Sequence, residues 1–522
     1  MQAVCRLERE RLMKKLLTWS TAFGALMSLV LSASAVWAGQ SDDTLRVALS
    51  RETDFIDSIH TSSADSDLFG TIIFDTLIYA DRATGEFKPL LASSWIWTSD
   101  KTVEFKLRQG IKFQNGETFN ADDVVFTFKQ LMDMNNKFRQ QQQDFGNIAS
   151  VEKLDEYTVK LSLKQPEPTF ENVLASRVGI WPNEYTEANG HMIHATKPVG
   201  TGPYALKSMQ KGSSYTLVKN DNYFGGTRPK PTIGTIEIRV IPETQTQIAE
   251  LMSGGIDMAL SLSPSDATAL QGAPGVVVQT GQATRMYFLS MNVAGKDSNP
   301  LSNADVRRAI SYAVNKPEMV HSLVSPDAAV LATNCNPSQR FCITDIKPVY
   351  EFNLAKAREL MKSAGYAGGF DVTLMAEANI RAIGEALQGY LSAIGIRVRL
   401  ETMPLPAWRE RYIKGESQMS IVGWGSGVTS LDISNTLGIF FNGSSTDYVK
   451  DKDITEWNAT ALRTTDKGKR EELYRNTLTR INEQAYVLPL YGTVATYSLS
   501  EPVRYQAPVI DFPDISLASW AK

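Results

Sequence analysis

FDVTLMAEANIRAIGEALQGYLSAIGIRVRL, residues 370–400, is the stretch on which the fold turns. Phe370 to Leu374 reads as a strand. Leu387, Tyr390, Leu391 and Ile394 then recur at helical spacing, Gly395 stops the helix, and Ile396, Val398 and Leu400 alternate as a second strand. Strand, helix and strand in so short a span make a βαβ unit, whose two strands must run parallel with the helix covering one face. The chain is therefore expected to be α/β.

The same signals recur elsewhere. Thr44 to Leu49 turns Leu45, Val47 and Leu49 inward, and the loop behind it is dense in polar groups, from Ser50, Arg51, Glu52, Thr53 and Asp54 to Asp57 and His60. A loop leaving the carboxyl end of a strand is a favoured ligand position in open α/β sheets, although polar surface loops are also common. Val103, Phe105 and Leu107 share a strand face, Asn115 and Gly116 supply a turn, and Asn120 caps a helix with Asp122 and Asp123 at its positive end. Val124, Val125, Phe128, Leu131 and Met132 form that helix's apolar stripe. Asn303 and Asn353 cap further helices. Ile248, Leu251 and Met252 line another that Gly254 ends, before a strand from Ile256 to Leu260.

The amino terminus predicts export. Lys14 and Lys15 precede the mostly apolar Leu16 to Val30, and a small-residue region follows that fits cleavage after Ala38, so residues 1–38 read as a signal peptide. The apolar run is shorter than the roughly 20 residues of a spanning helix. Arg6 to Arg11 are unusually charged for a leader, which makes Met13 an alternative start. Cys5 lies upstream of the apolar run, so lipid anchoring is not expected. At 522 residues the chain exceeds one hydrophobic core, and its net charge of −4 offers nothing to nucleic acid. Cys335 and Cys342 bracket a polar segment, NCNPSQRFC; a disulfide is favoured in an oxidising compartment, with free thiols or half a metal site as alternatives.

Catalytic motifs are scarce. There is no HExxH, no G-x-S-x-G and no P-loop; Ser208 and Lys211 form an isolated S-x-x-K, and Gly200 and Gly202 are followed by Pro203 with no third glycine. His191 and His194 lie in NGHMIHATKPVG, a loop context in which solvated side chains are preferred over a metal site. No cofactor and no metal are expected. SIVGWGSGVTSLD, residues 420–432, suits binding better: a buried strand ends in Trp424, and Gly423, Gly425 and Gly427 leave the backbone open to close approach. A glycine-rich turn with a core tryptophan explains the same residues.

LASSW at 91–95, KLRQGIKFQNGETFNADDVVFTF at 106–128, VGTGPYALK at 199–207 and NDNYFGG at 220–226 follow one another in an order that resembles the extracytoplasmic solute-binding proteins of family 5. ETQTQIAELMSGGIDMAL (243–260), LSNADVRRAISYAVNK (301–316), ARELMKSAGY (357–366), LSAIGIRVRLE (391–401) and LPLYGT (488–493) extend the resemblance over nearly all of the chain after the leader. It implies a two-lobed periplasmic binding protein, type II-like of cluster C, that serves an ABC importer. Lobe I would take residues 39–85, 199–285 and 491–522, with a subdomain inserted at 86–198, and lobe II residues 286–490. Ligand would lie between the lobes, and the partners would be a small-molecule or peptide ligand and an inner-membrane ABC permease with its ATPase. The protein itself would be a periplasmic monomer, not an enzyme; an exported peptide hydrolase or a periplasmic holdase are the alternatives.

Matched position by position, Trp424 corresponds to the tryptophan of the family's GW loop, with Gly425 and Ser426 where backbone groups pair with an extended peptide. Trp408 resembles the aromatic pocket wall, with core packing as its other explanation. Glu52, Thr53 and Asp54 would face them, and Asn379 and Arg381 begin a helix whose amino end would lie near the ligand. The family's GW-x-ADY carries an aspartate for a peptide's α-ammonium where this chain has Gly427; Asp432 is a conceivable substitute. Without that charge, a modified peptide, an opine-like conjugate or a glutathione-like compound suits the site as well as a plain peptide.

Overall fold

The computed structural model describes residues 38–522 apart from 54, 61–63, 139–140, 261, 295–298, 426–428, 430 and 509–512. The leader, Asp54, Ser426 and Gly427 thus lie outside the described residues. The βαβ unit forms as expected: strand Phe370–Glu377 pairs in parallel with Ile396–Met403 throughout their length, joined by helix Arg381–Ser392 with Leu387 and Leu391 fully buried. Gly395, at φ 85°, makes the turn that lets the helix run directly into the second strand.

One eleven-stranded sheet runs through the molecule. From one edge its order is Ile396–Met403, Phe370–Glu377, Met419–Trp424, Val276–Met291, Val487–Ser500, Met258–Ala259, Thr44–Leu49, Thr235–Val240, Ser214–Lys219 and Tyr204–Gln210, and the short Ala329–Val330 also pairs with Val487–Ser500. Two of these strands are much longer than the rest, 16 residues in Val276–Met291 and 14 in Val487–Ser500. They pair with one another antiparallel from Val276 opposite Ser500 to Ser290 opposite Val487, and the register shifts between Gln282 and Met286.

That length lets each strand pass from one hydrophobic core to another. Leu45, Phe69, Phe105, Phe128, Trp181, Tyr497 and Leu499 belong to a first core, which the four-stranded antiparallel sheet of residues 92–163 extends. Leu289, Leu374, Leu387, Leu488 and Leu490 belong to a second, and Phe288, Trp408, Val422 and Tyr474 to a third on the other face of the same sheet half. Each long strand therefore holds one half of the sheet at each end. The carboxyl-terminal segment returns to the first core, where Arg228 donates to Asp514 (2.7 Å) and to the Thr71 carbonyl (2.6 Å), all but inaccessible to water.

Local signals act largely as expected. Asn120 accepts from the Asp122 amide while Asp123 accepts from the Asn120 amide, a reciprocal cap on helix Ala121–Met132. Asn303 and Asn353 cap Ala304–Ala313 and Leu354–Ser363. The strand expected from Ile256 to Leu260 is confined to Met258–Ala259, because the Ile256 amide still donates to the Glu250 carbonyl in the turn that ends the helix. No helix among the described residues is long and apolar enough to cross a membrane.

Candidate ligand-binding site

Strand direction locates the site. In the second lobe Phe370–Glu377 runs parallel to Met419–Trp424, and Trp424 pairs with Met286 where the first crossover strand enters that lobe. In the first lobe Thr44–Leu49 runs parallel to Met258–Ala259, with Ala259 opposite Ser498 of the second crossover strand. The carboxyl ends of both sheet halves therefore point at the crossover from opposite sides. Loops leaving such ends line a crevice, the usual ligand position in open α/β sheets.

Trp424 stands at this edge. Its Nε1 donates to Asn435 Oδ1 at 2.7 Å and its ring meets Phe440 edge-on at 5.3 Å, leaving the indole half-buried. Gly423 is not free for a ligand: a Cβ there would lie 2.4 Å from the Tyr287 ring and 3.0 Å from Arg285 Nη2, so these side chains use the space that the glycine leaves. Gly425, at φ 90°, does adopt a conformation that favours glycine. Tyr287 stacks on Tyr491 at 4.8 Å, and Arg285 lies over Tyr287 while its Nε donates to the Tyr287 hydroxyl at 3.2 Å. Glu377, the last residue of its strand, is 5% exposed, and its Oε1 has no hydrogen-bond partner among the described residues. Burial raises its pKa, against the lowering effect of Arg285 and Arg409.

The other expected residues occupy varied places. Thr53 is buried and donates to the Phe55 carbonyl at 2.7 Å; Glu52 accepts from the Gly212 amide at 2.7 Å, and both lie in the loop that leaves the first-lobe edge. Asn379 and Arg381 are exposed at the start of helix Arg381–Ser392, where Arg381 pairs with Glu385 at 2.8 Å. Trp408 is 5% exposed, stacked on Tyr412 at 5.0 Å, with an indole N–H that lacks a partner among the described residues. Asp432 is 3% exposed; its Oδ2 pairs with Arg470 at 2.9 Å and its Oδ1 accepts from the Ser434 amide, so both oxygens are occupied inside the second lobe.

The lobes also touch away from the crossover strands. Cys335 and Cys342 are joined, closing the loop that carries Arg340. Arg340 donates to the Gly85 carbonyl at 2.6 Å and lies 4.4 Å from the Phe87 ring centroid, both on the first-lobe side. Its amide donates to the Leu431 carbonyl, and Leu431 itself packs into the first core. Thr465 donates to Asp100 at 3.0 Å.

The expectation of solvated histidines is corrected. His194 is fully buried and His60 is 8% exposed. His60 sits between Asp57 Oδ2 (2.7 Å from Nδ1) and His191 Nδ1 (2.9 Å from Nε2), and Trp181 stacks on His60, His191 and His194 at 5.6, 6.5 and 4.7 Å. His60 and His191 are 131 residues apart in the sequence, and the packing of their two segments against each other brings them together. Burial pushes the His194 pKa down to about 3. Burial also opposes ionisation of Asp57, but the His60 hydrogen bond and charge outweigh it and hold that carboxyl below its usual range. Among the described residues no group of three or more His, Cys, Asp or Glu could hold a metal ion.

Residues 86–447 match the family model for bacterial extracellular solute-binding proteins, family 5 (middle region). The chain belongs to this family. It is 30% identical over 485 residues to di/tripeptide-binding protein 3 of Pseudomonas aeruginosa (strain UCBPP-PA14), covering 85% of this chain and 88% of that protein. It is also 30% identical over 424 residues to the glutathione-binding protein GsiB of Escherichia coli (strain K12), covering 78% and 80%. Among solved structures, the ABC transporter-associated periplasmic binding protein DppA from Helicobacter pylori, in complex with the peptide STSA, is similar with a TM-score of 0.75 and 26% identity, over 92% of this chain and 98% of that one. Like these family-5 relatives the chain is a two-lobed α/β protein. Arg285, Tyr287, Glu377 and Tyr491 went unmarked in the sequence; the signal available was Glu377 itself, an acidic residue directly after the apolar Leu374, Met375 and Ala376.

Proposed function

We propose that this chain is the substrate-binding component of an ABC importer, capturing a peptide or peptide-like solute outside the cytoplasmic membrane and delivering it to a permease with its ATPase. The convergence of both sheet halves' carboxyl ends on the two crossover strands supports this most strongly. A solute held there touches both lobes, and a ligand that contacts both favours the closed form over the open one. Trp424 and Gly425 form the second-lobe side, with Asn379 and Arg381 at a helix amino end, and the loop of Glu52 and Thr53 forms the first-lobe side. Export by residues 1–38, a monomeric state and the lobe limits 39–85, 199–285 and 491–522 against 286–490, with 86–198 inserted, belong to the same proposal.

The test is isothermal titration calorimetry on protein freed of carried-over ligand by unfolding and refolding, against dipeptides, tripeptides, glutathione and opines. Saturable 1:1 binding of a peptide or peptide-like compound is expected. Absence of binding across that panel by folded protein refutes the assignment.

A further inference from the structure

Glu377 is difficult to explain as a packing residue. It closes a parallel strand at the carboxyl edge that faces the other lobe, and the residue is 5% exposed with no hydrogen-bond partner for Oε1 among the described residues. A buried carboxylate without a hydrogen-bonded cation is strongly unfavourable, because it has lost water and gained nothing in return. Arg285, on the crossover strand, and Arg409, on the helix Leu405–Ile413, are near enough to influence it, yet neither forms an ion pair with it among those of the described residues. Arg285 is instead held by the face and hydroxyl of Tyr287. The stacked Tyr287 and Tyr491 wall the same corner, and the acid is close enough to Tyr491 to affect its phenol.

We infer that Glu377 is a specificity-determining residue whose carboxylate receives the ammonium group of the ligand. This rests on the peptide-binding assignment above and narrows it to solutes that carry a free amine. A neutral donor would satisfy the oxygen's geometry but leave its charge uncompensated, whereas an ammonium answers both. The ligand's amine end would then lie at the second-lobe edge beside the crossover strands, against Tyr491, with the remainder of the molecule directed along Trp424 toward the first lobe.

The experiment compares a mixed pool of dipeptides and tripeptides with the same pool N-acetylated, by calorimetry, on the wild-type chain and on Glu377→Gln, which keeps the side-chain shape. The wild type is expected to bind the free-amine pool about tenfold or more tightly than the acetylated pool, the usual scale of one charge-assisted contact. Glu377→Gln should lose that factor for the free amines and leave the acetylated pool unchanged. If the wild type binds both pools equally, the amine anchor is overturned while peptide binding stands. If the wild type discriminates and Glu377→Gln does so equally, Glu377 is not the anchor. Binding of neither pool overturns the peptide assignment and the anchor together.

Discussion

Replacing Arg340 by alanine separates the energetics of closure from those of ligand contact. The side chain reaches out of the disulfide-closed loop of the second lobe to the Gly85 carbonyl at 2.6 Å and the Phe87 ring at 4.4 Å. Phe87 packs on the first core, whereas Phe341 and Cys342, the neighbours of Arg340 in its loop, pack on the third, so parting the lobes breaks both contacts. A hydrogen bond from a charged donor contributes roughly 1.5–3 kcal/mol and a half-buried cation–π contact roughly 0.5–2. Because Arg340 regains water when the lobes open, about 2 kcal/mol is the net figure to expect, which corresponds to about 30-fold in the closing equilibrium. Arg340→Ala should therefore weaken ligand binding by about 30-fold through faster dissociation, with little effect on the unfolding of either lobe. Arg340→Lys keeps the charge but not the planar group and should recover only part of the loss. Stopped-flow dissociation and calorimetry measure the effect; wild-type affinity and off-rate in a folded Arg340→Ala would refute the clasp.

Three further outcomes follow from the same structure. The Cys335→Ser/Cys342→Ser double variant should lose about 2–3 kcal/mol of stability by loop-closure entropy and should also weaken binding, because Arg340 lies within that loop; denaturant unfolding and calorimetry read the two effects separately. His194 is neutral in the folded protein down to about pH 3 and protonates near 6.5 when unfolded, so the unfolded chain binds the extra proton between these values and stability falls as pH drops through that window. Its share between pH 7 and pH 5 is about 2 kcal/mol, at 1.36 kcal/mol per pKa unit. The fall in unfolding free energy should be smaller by that amount in His194→Gln. Trp424→Phe should abolish most of the ligand-induced change in tryptophan fluorescence, since this half-buried indole sits at the crossover; an unaltered change places the reporter elsewhere.

What the sequence disclosed and what it withheld divide along physical lines. The βαβ unit at 370–400, the Asn120 and Asn303 caps and the turn at Gly395 depend on contacts between near neighbours, and all appear where periodicity placed them. Trp424 was legible as a strand end, and its antiparallel pairing with Met286 carries it to the crossover. Packing across long separations was not legible. Nothing local distinguishes a glycine open to ligand from Gly423, whose space Tyr287 fills, or a loop histidine from His194, buried against Trp181. Asp432 likewise looked like a loop carboxylate until its pairing with Arg470, 38 residues away, could be seen. Glu377 drew no attention because an acid at a strand end is ordinary in sequence; only its burial and its unbonded oxygen single it out.

The central claim is that two sheet halves, joined by the strands Val276–Met291 and Val487–Ser500, close on a solute at their shared edge. Small-angle X-ray scattering of the ligand-free chain, before and after saturation with the tightest-binding member of the peptide pool, tests it most directly. The account predicts a smaller radius of gyration and a shorter maximum dimension on saturation. Superimposable profiles, at a concentration where calorimetry shows the site filled, would contradict it.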